Sequence, residues 1–166
     1  MSLLQVSFAY GSLRCANFTH SVSDFEVVPA ENLIVILYQG KEVSTMQYEY
    51  EADVENLYIQ ETRTQADFRR LGFSKKLLEA ALKKHPNTKT IESTLTETNE
   101  KAYAAAKSKI VSGRLDKRPT DQDNIEALKA TPSYKKALAF GFSKVIQHER
   151  SDNSVLMVVG RESEDQ

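Results

Sequence analysis

Apolar and polar residues alternate or recur along the chain with periods that change several times, and these changes divide it into elements. Leu4, Val6 and Phe8 alternate as in a strand, whereas Gly11 to Asp24 carries no clean period. The run Leu33-Ile34-Val35-Ile36-Leu37-Tyr38 is continuous, apolar and rich in β-branched residues, and it stops at Gln39-Gly40-Lys41, which predicts a tight turn between antiparallel strands. The partner strand runs from Glu42 to about Tyr50. After the acidic stretch Glu51 to Glu55, a third strand passes through Leu57 and Ile59 to Thr64, completing a meander.

A short glycine-containing loop then gives way to a different period. Phe73, Leu77, Leu78, Ala81 and Leu82 recur at helical spacing, with Lys75, Lys76, Glu79, Lys83 and Lys84 on the other side, and His85-Pro86-Asn87 stops the helix. Thr88 to Thr96 alternates Ile91, Ser93 and Leu95 as a fresh strand, so strand, helix and strand follow in the order of a right-handed crossover. Asn99 opens an alanine-rich helix to about Ile110, and Gly113 to Asp121 is a charged loop. Thr120 and Asp123 have capping-box spacing ahead of a short helix with Ile125 and Leu128. Thr131 before Pro132 starts another helix, with Tyr134, Ala137 and Leu138, which ends at Gly141. Phe142 to Glu149 and Ser154 to Val159 are two closing strands joined through Ser151-Asp152-Asn153. The expected architecture is α/β, with a mixed, mostly antiparallel sheet of six to seven strands flanked by helices.

Size and charge narrow the possibilities. With 166 residues the chain is long enough for one good core and short for two ordinary domains, so a single domain spanning 1–166 is expected. Its 22 basic and 23 acidic side chains nearly cancel, which removes a global field for nucleic acid or an anionic membrane. No window approaches the roughly 18 apolar residues of a membrane span, and the start lacks the basic region of a signal peptide. The single cysteine, Cys15, cannot close an intramolecular disulfide and reads as a buried apolar residue, and no Cys/His spacing suggests zinc. A soluble, cytoplasmic protein without metal is expected, with a homodimer compatible with these features.

The chemistry concentrates between Thr64 and Leu78. A strand end feeds a loop with two arginines and a glycine that opens directly into a helix, so backbone N–H groups without helical partners gather at the positive end of the helix dipole. Gly72 admits a close approach to that backbone, and Arg69 and Arg70 add charge-assisted contacts suited to a pyrophosphate. The bland alternative is an ordinary strand-to-helix turn.

The pattern Arg69-x-x-Gly72-x-Ser74, set between a long strand and an amphipathic helix, resembles the pyrophosphate loop of the GNAT superfamily of acetyl-coenzyme A-dependent N-acetyltransferases, and Phe140-Gly141-Phe142 resembles its later Gly-Phe. The resemblance covers roughly residues 33–159. It implies a sheet splayed at its centre, with the amides of Arg69, Arg70, Leu71, Gly72, Phe73 and Ser74 on the coenzyme A pyrophosphate. It further implies the backbone near Thr62 and Thr64 on the pantetheine arm, and Asn99, at the end of the following strand, beside the cofactor. The implied activity moves an acetyl group from acetyl-coenzyme A to a primary amine, of a small molecule, a protein lysine or an N-terminus, by direct attack in a ternary complex. Glu61 is the candidate base and Tyr134 the candidate acid, with Tyr103 second, while an exposed strand glutamate and core tyrosines are the plain alternatives.

The chain departs from the family pattern in several places. Ser74 stands for a last Gly or Ala, Ala137 occupies the place where many members carry the acidic tyrosine, the N-terminal arm is short, and about 108–130 look inserted as a helical segment forming a lid or wall. Two rival readings follow: a catalytically weak coenzyme A-binding protein of the same fold, and a nucleic-acid module using Arg69, Arg70 and the lysine face. The acidic stretch Glu49, Glu51, Asp53 and Glu55 reads as a solvated turn, with attraction of a basic acceptor as its alternative.

Overall fold

The computed structural model describes residues 13–15, 18–20, 24–112, 116, 118–151 and 154–162, with only the backbone described for 13–15, 18–20, 149–151 and 154. The Leu4, Val6 and Phe8 alternation and the Asp152-Asn153 turn lie outside these residues, as does the Cys15 side chain. Strands β1 (Leu13–Cys15) and β2 (Phe18–His20) pair antiparallel as a separate ribbon. Seven further strands follow: β3 (Phe25–Pro29), β4 (Leu33–Tyr38), β5 (Lys41–Glu51), β6 (Asn56–Thr64), β7 (Thr90–Thr94), β8 (Phe142–Ser151) and β9 (Ser154–Arg161). They form one sheet in the order β3-β4-β5-β6-β7-β9-β8. Four helices accompany it: α1 (Phe73–Lys84), α2 (Glu97–Ser112), α3 (Asp121–Lys129) and α4 (Pro132–Leu138). The architecture is therefore the expected α/β class. No helix among the described residues is long and apolar enough to cross a membrane.

The chain divides into two compact units, the first comprising the described residues up to Tyr50 together with Ile59–Asn87. In it, β3, β4 and β5 pair antiparallel, and the turn between β4 and β5 places Gln39 at φ 51° and Gly40 at φ 73°. Two consecutive left-handed residues make the two-residue hairpin turn whose twist suits flanking strands, and Tyr38 pairs with Lys41 as the turn signal required. β5 carries one extra residue: Ile36 faces Ser44 and Leu37 faces Glu42, leaving Val43 as a bulge. That shift explains why both Val43 and Ser44 are buried although neighbours in a strand point to opposite faces. β3 carries no clear period in the sequence because its five residues alternate weakly and end at Pro29, which an edge strand tolerates.

Helix α1 buries Phe73, Leu77, Leu78 and Ala81 of the apolar stripe read from the sequence and leaves its fifth member, Leu82, half-buried; each fully buried leucine contributes about 1.5–3 kcal/mol of transfer free energy. It ends at His85, whose N–H donates to Ala81 O at 2.9 Å. The last turn is tied down chemically. Lys84 Nζ donates to the carbonyls of Ala30 and Glu31 at 2.5 Å each, and Tyr48 Oη donates to Glu31 O at 3.0 Å.

His85, which has no visible partner in the sequence, stacks on Tyr50 at 4.1 Å between ring centroids and lies 3.3 Å from Tyr48 Oη. Because the tyrosine proton goes to Glu31 O, His85 Nε2 is the donor in that pair. Burial, and then the Lys84 charge, lower the His85 pKa below its ordinary value. The unfolded chain therefore takes up this proton more readily than the folded one. The stabilisation is complete above about pH 6.5 and is lost as pH falls through that value toward the folded pKa. Urea midpoints measured from pH 7.5 down to 5 should decline, and His85→Gln should flatten the part of that decline near pH 6.

The second unit comprises Glu51–Tyr58 and the described residues from Thr88 onward. β9 lies between β7 and β8, antiparallel to both, with Ile91 opposite Val159 and Ser93 opposite Met157. Helix α2 starts at Glu97, two residues before the expected opening at Asn99. The Thr96 carbonyl accepts from Glu100 N at 2.9 Å, so Thr96 already stands at the helix entrance. The expected capping box of α3 is present: Asp123 N donates to Thr120 Oγ1 at 3.2 Å and Thr120 N donates to Asp123 Oδ2 at 2.8 Å. Thr131 caps α4 through Tyr134 N at 3.2 Å, ahead of Pro132. The segment 108–130 thus includes the last turn of α2 and all of α3; α3 packs against α2 and α4, and its Ala127 and Leu128 are fully buried.

Candidate functional site

Within the first unit, the strand, loop and helix predicted to hold an anion are built from both ends. At the strand end, Ser44 Oγ donates to Arg63 O at 2.9 Å, so the 2.7 Å contact between Ser44 Oγ and Thr64 Oγ1 has threonine as its donor. Gln65 N donates to the carbonyl of the bulged Val43 at 2.9 Å, while its side-chain amide donates to Glu42 O. The bulge thereby turns a carbonyl toward the exit of β6. A short 3-10 turn, Ala66–Phe68, follows, and Arg69 Nε reaches back to Thr64 O at 3.3 Å.

The loop itself alternates between anchored and open positions. Leu71 and Phe73 are buried, whereas Arg69, Arg70 and Gly72 are exposed. Phe73 sits in an aromatic cluster, 4.9 Å from the Phe25 ring and 6.5 Å from the Phe68 ring. Arg70 has φ 66°, a conformation costing of order 1–3 kcal/mol for a residue with a side chain, and Gly72 has φ 78°. A left-handed residue followed by right-handed helix turns successive N–H groups to one side, an anion-binding concavity. Gly72 is the N-cap of α1 and supplies no capping side chain, so the first carbonyl met inside the helix is that of Gly72, reached by Lys75 N at 3.0 Å and Lys76 N at 3.2 Å. A Cβ built on Gly72 would meet nothing within 4 Å, so the backbone there is open to a ligand. Donors, dipole, two guanidinium groups and free approach match the chemistry of a diphosphate.

The other candidate residues separate into two groups. Glu61, Thr62 and Thr64 lie on the strand that feeds this loop; Glu61 Oε1 is 2.6 Å from Arg63 Nε, and the side chains are 43% and 77% exposed. Asn99 and Tyr134 lie in the second unit. Asn99 stands in the first turn of α2, not at a strand end as expected, because β7 stops at Thr94. Its amide donates to Thr96 Oγ1 at 2.9 Å and its carbonyl oxygen accepts from Ser133 N at 2.9 Å, linking the first turns of α2 and α4. Tyr134 is buried and donates its hydroxyl proton to Ser143 O at 2.6 Å. Tyr103 is buried as well, and donates to Asn124 Oδ1 at 3.0 Å.

The lysine row of α1 is largely spent within its own unit. Lys76 lies 5.8 Å above the Phe73 ring, with its pKa lowered by burial; Lys83 pairs with Glu79 at 2.8 Å; Lys84 holds the two carbonyls described above. Ser44, Gln65 and the Val43 bulge were not singled out from sequence. The only trace of them is a lone serine and valine side by side in an otherwise alternating strand. Among the described residues, no group of three or more His, Cys, Asp or Glu is placed to hold a metal ion.

No family profile and no curated protein matches the chain. Solved structures do resemble it. Ard1 from Thermoplasma volcanium aligns with a TM-score of 0.47 and 15% identity over 79% of this chain and 70% of that one. A GNAT family acetyltransferase from Bacillus cereus aligns with 0.46 and 13% over 79% and 71%. Arabidopsis thaliana Naa50, solved with a bisubstrate analogue containing coenzyme A, aligns with 0.45 and 17% over 80% and 73%.

Proposed function

We propose that this protein is a single-domain N-acetyltransferase that binds acetyl-coenzyme A through the Arg69–Ser74 loop and delivers the acetyl group to a primary amine. The observation that carries the proposal is the uncapped start of α1 at a left-handed Gly72, with Arg69 and Arg70 beside it. Acetyl-coenzyme A supplies the activated thioester. The chain supplies the diphosphate grip, and the backbone around Thr62 and Thr64 is the track for the pantetheine arm. Asn99 is retained as the polar residue beside the cofactor, and 108–130 as a wall of the acceptor site.

An amine with a pKa of about 10.4 is cationic at neutral pH and must lose a proton before its lone pair can attack. Glu61 is the base, directly or through one water. The amine nitrogen forms its bond to the acetyl carbon as the carbon–sulfur bond breaks, and the departing thiolate takes up a proton. For Tyr134 to give that proton, its hydroxyl has to leave the Ser143 carbonyl, and Ala137 offers no substitute. This bond favours the second reading, a weak catalyst whose rate comes from positioning the two reactants.

A thiol-release assay with acetyl-coenzyme A across an amine panel tests both readings. Glu61→Gln should lower kcat by about 10²–10⁴-fold. Tyr134→Phe takes the hydroxyl donor from the half-buried Ser143 carbonyl and should cost about 0.5–1.5 kcal/mol of stability. A fall in kcat at constant KM in this variant assigns Tyr134 the acid role, and a lower melting temperature with kcat retained assigns it an anchoring role. Calorimetry showing that folded protein ignores coenzyme A overturns the whole proposal.

A further inference from the structure

The face of β6 that carries Leu57 and Ile59 into the core carries Glu61 and Arg63 next, the first partly and the second largely open to solvent. Residues two apart on a strand share a face, about 6.6 Å along it. An acidic and a basic group therefore stand side by side, 2.6 Å between their nearest atoms, on the strand that feeds the diphosphate loop. An exposed pair of this kind contributes little to folding, so it opens at small cost when other charges are offered to it. Of the two, Glu61 lies farther from the loop and Arg63 nearer to it.

We propose that Glu61 and Arg63 form one recognition site for a zwitterionic acceptor, an amino acid whose reacting ammonium group meets Glu61 and whose carboxylate meets Arg63. The inference rests on the acetyltransferase reading and narrows its substrate to amino acids carrying a primary amine. The ligand's two charges replace the protein's own pair, each group exchanging one charge-assisted partner for another. A planar guanidinium accepts a carboxylate through two parallel N–H donors, which an isolated diamine cannot use. A second effect assists: the same carboxylate, by drawing Arg63 away, frees Glu61 to take the amine proton. Glu61, through its hydrogen bond and charge, and Glu42, through its charge, raise the Arg63 pKa above its ordinary value.

The test compares acceptors that differ only in the carboxylate, lysine against cadaverine and ornithine against putrescine, with the full chain and acetyl-coenzyme A. Wild type should favour the amino acid of each pair by about 10- to 100-fold in kcat/KM, the size of one charge-assisted hydrogen bond. Arg63→Ala, at a site exposed enough to fold normally, should bring this ratio close to one, and Arg63→Lys should recover part of it. A wild-type ratio near one, or a ratio that survives Arg63→Ala, overturns the proposal. Should the protein bind coenzyme A without turning over any amine, the transfer reading fails by itself. Titration of lysine and cadaverine into the coenzyme A-loaded protein, followed by NMR, then decides the inference: tighter lysine binding that depends on Arg63 supports it, and equal binding overturns it.

Discussion

Gly72→Asp is expected to abolish productive coenzyme A binding while leaving the fold intact. A carboxylate at the start of α1 complements the helix dipole, worth about 0.3–1 kcal/mol, but Gly72 at φ 78° and ψ 12° lacks the extended backbone of a side-chain cap, so no capping hydrogen bond is added. Against this stands the strain of placing a side chain at φ 78°, of order 1–2 kcal/mol, which Asp tolerates better than most residues. Nothing lies within 4 Å of the new Cβ, so no clash is added. The two effects offset in part, leaving a small loss of stability. In binding they do not, because the carboxylate stands where the diphosphate approaches and repels it by about 4 kcal/mol at 4 Å in a partly screened environment. Calorimetry should show affinity lower by at least about 100-fold, with a urea midpoint only slightly lower. Retained affinity in a folded variant would remove the loop from the proposed site.

Phe73→Ala should have the largest effect on stability, about 3–5 kcal/mol. The ring is 2% exposed, begins α1 immediately after Gly72, and touches the rings of Phe25 and Phe68. Its loss leaves a cavity under the loop as well as in the core. With total stabilities of about 5–15 kcal/mol, such a variant stands close to unfolding. Phe73→Leu, which keeps most of the volume, should cost less than about 1.5 kcal/mol. Urea denaturation checks both, a lower midpoint at constant m reporting stability alone.

The sequence made the loop legible because every feature it needs is local: a glycine where φ must be positive, two arginines beside it, and a helix with a clear apolar stripe. Arg70 is different. Nothing in its identity announces φ 66°, which goes with the turn of the backbone just ahead of Leu71, a residue drawn into the core. The candidate catalytic side chains were legible only as residue types. Tyr134 is an available phenol in the sequence, but in the fold its proton belongs to a carbonyl nine residues away on another element. Asn99 reads as a polar residue near a strand end, and the structure makes it a clasp between two helices. His85 shows no partner along the chain because Tyr48 and Tyr50 approach it from more than thirty positions earlier.

By itself the sequence determined the periods, the caps and the turns: Gln39-Gly40, the α1 stripe, the Thr120–Asp123 box and Thr131-Pro132 each depend on neighbours within four residues, where sterics and short hydrogen bonds act without tertiary help. Tertiary structure alone decided the Val43 bulge and the bond it offers Gln65, the edge strand β3, and the partners of Ser44, Asn99, His85 and Tyr134. Those depend on which distant strand supplies the facing donor or acceptor, and burial forces a polar atom to take whatever partner that packing brings within reach.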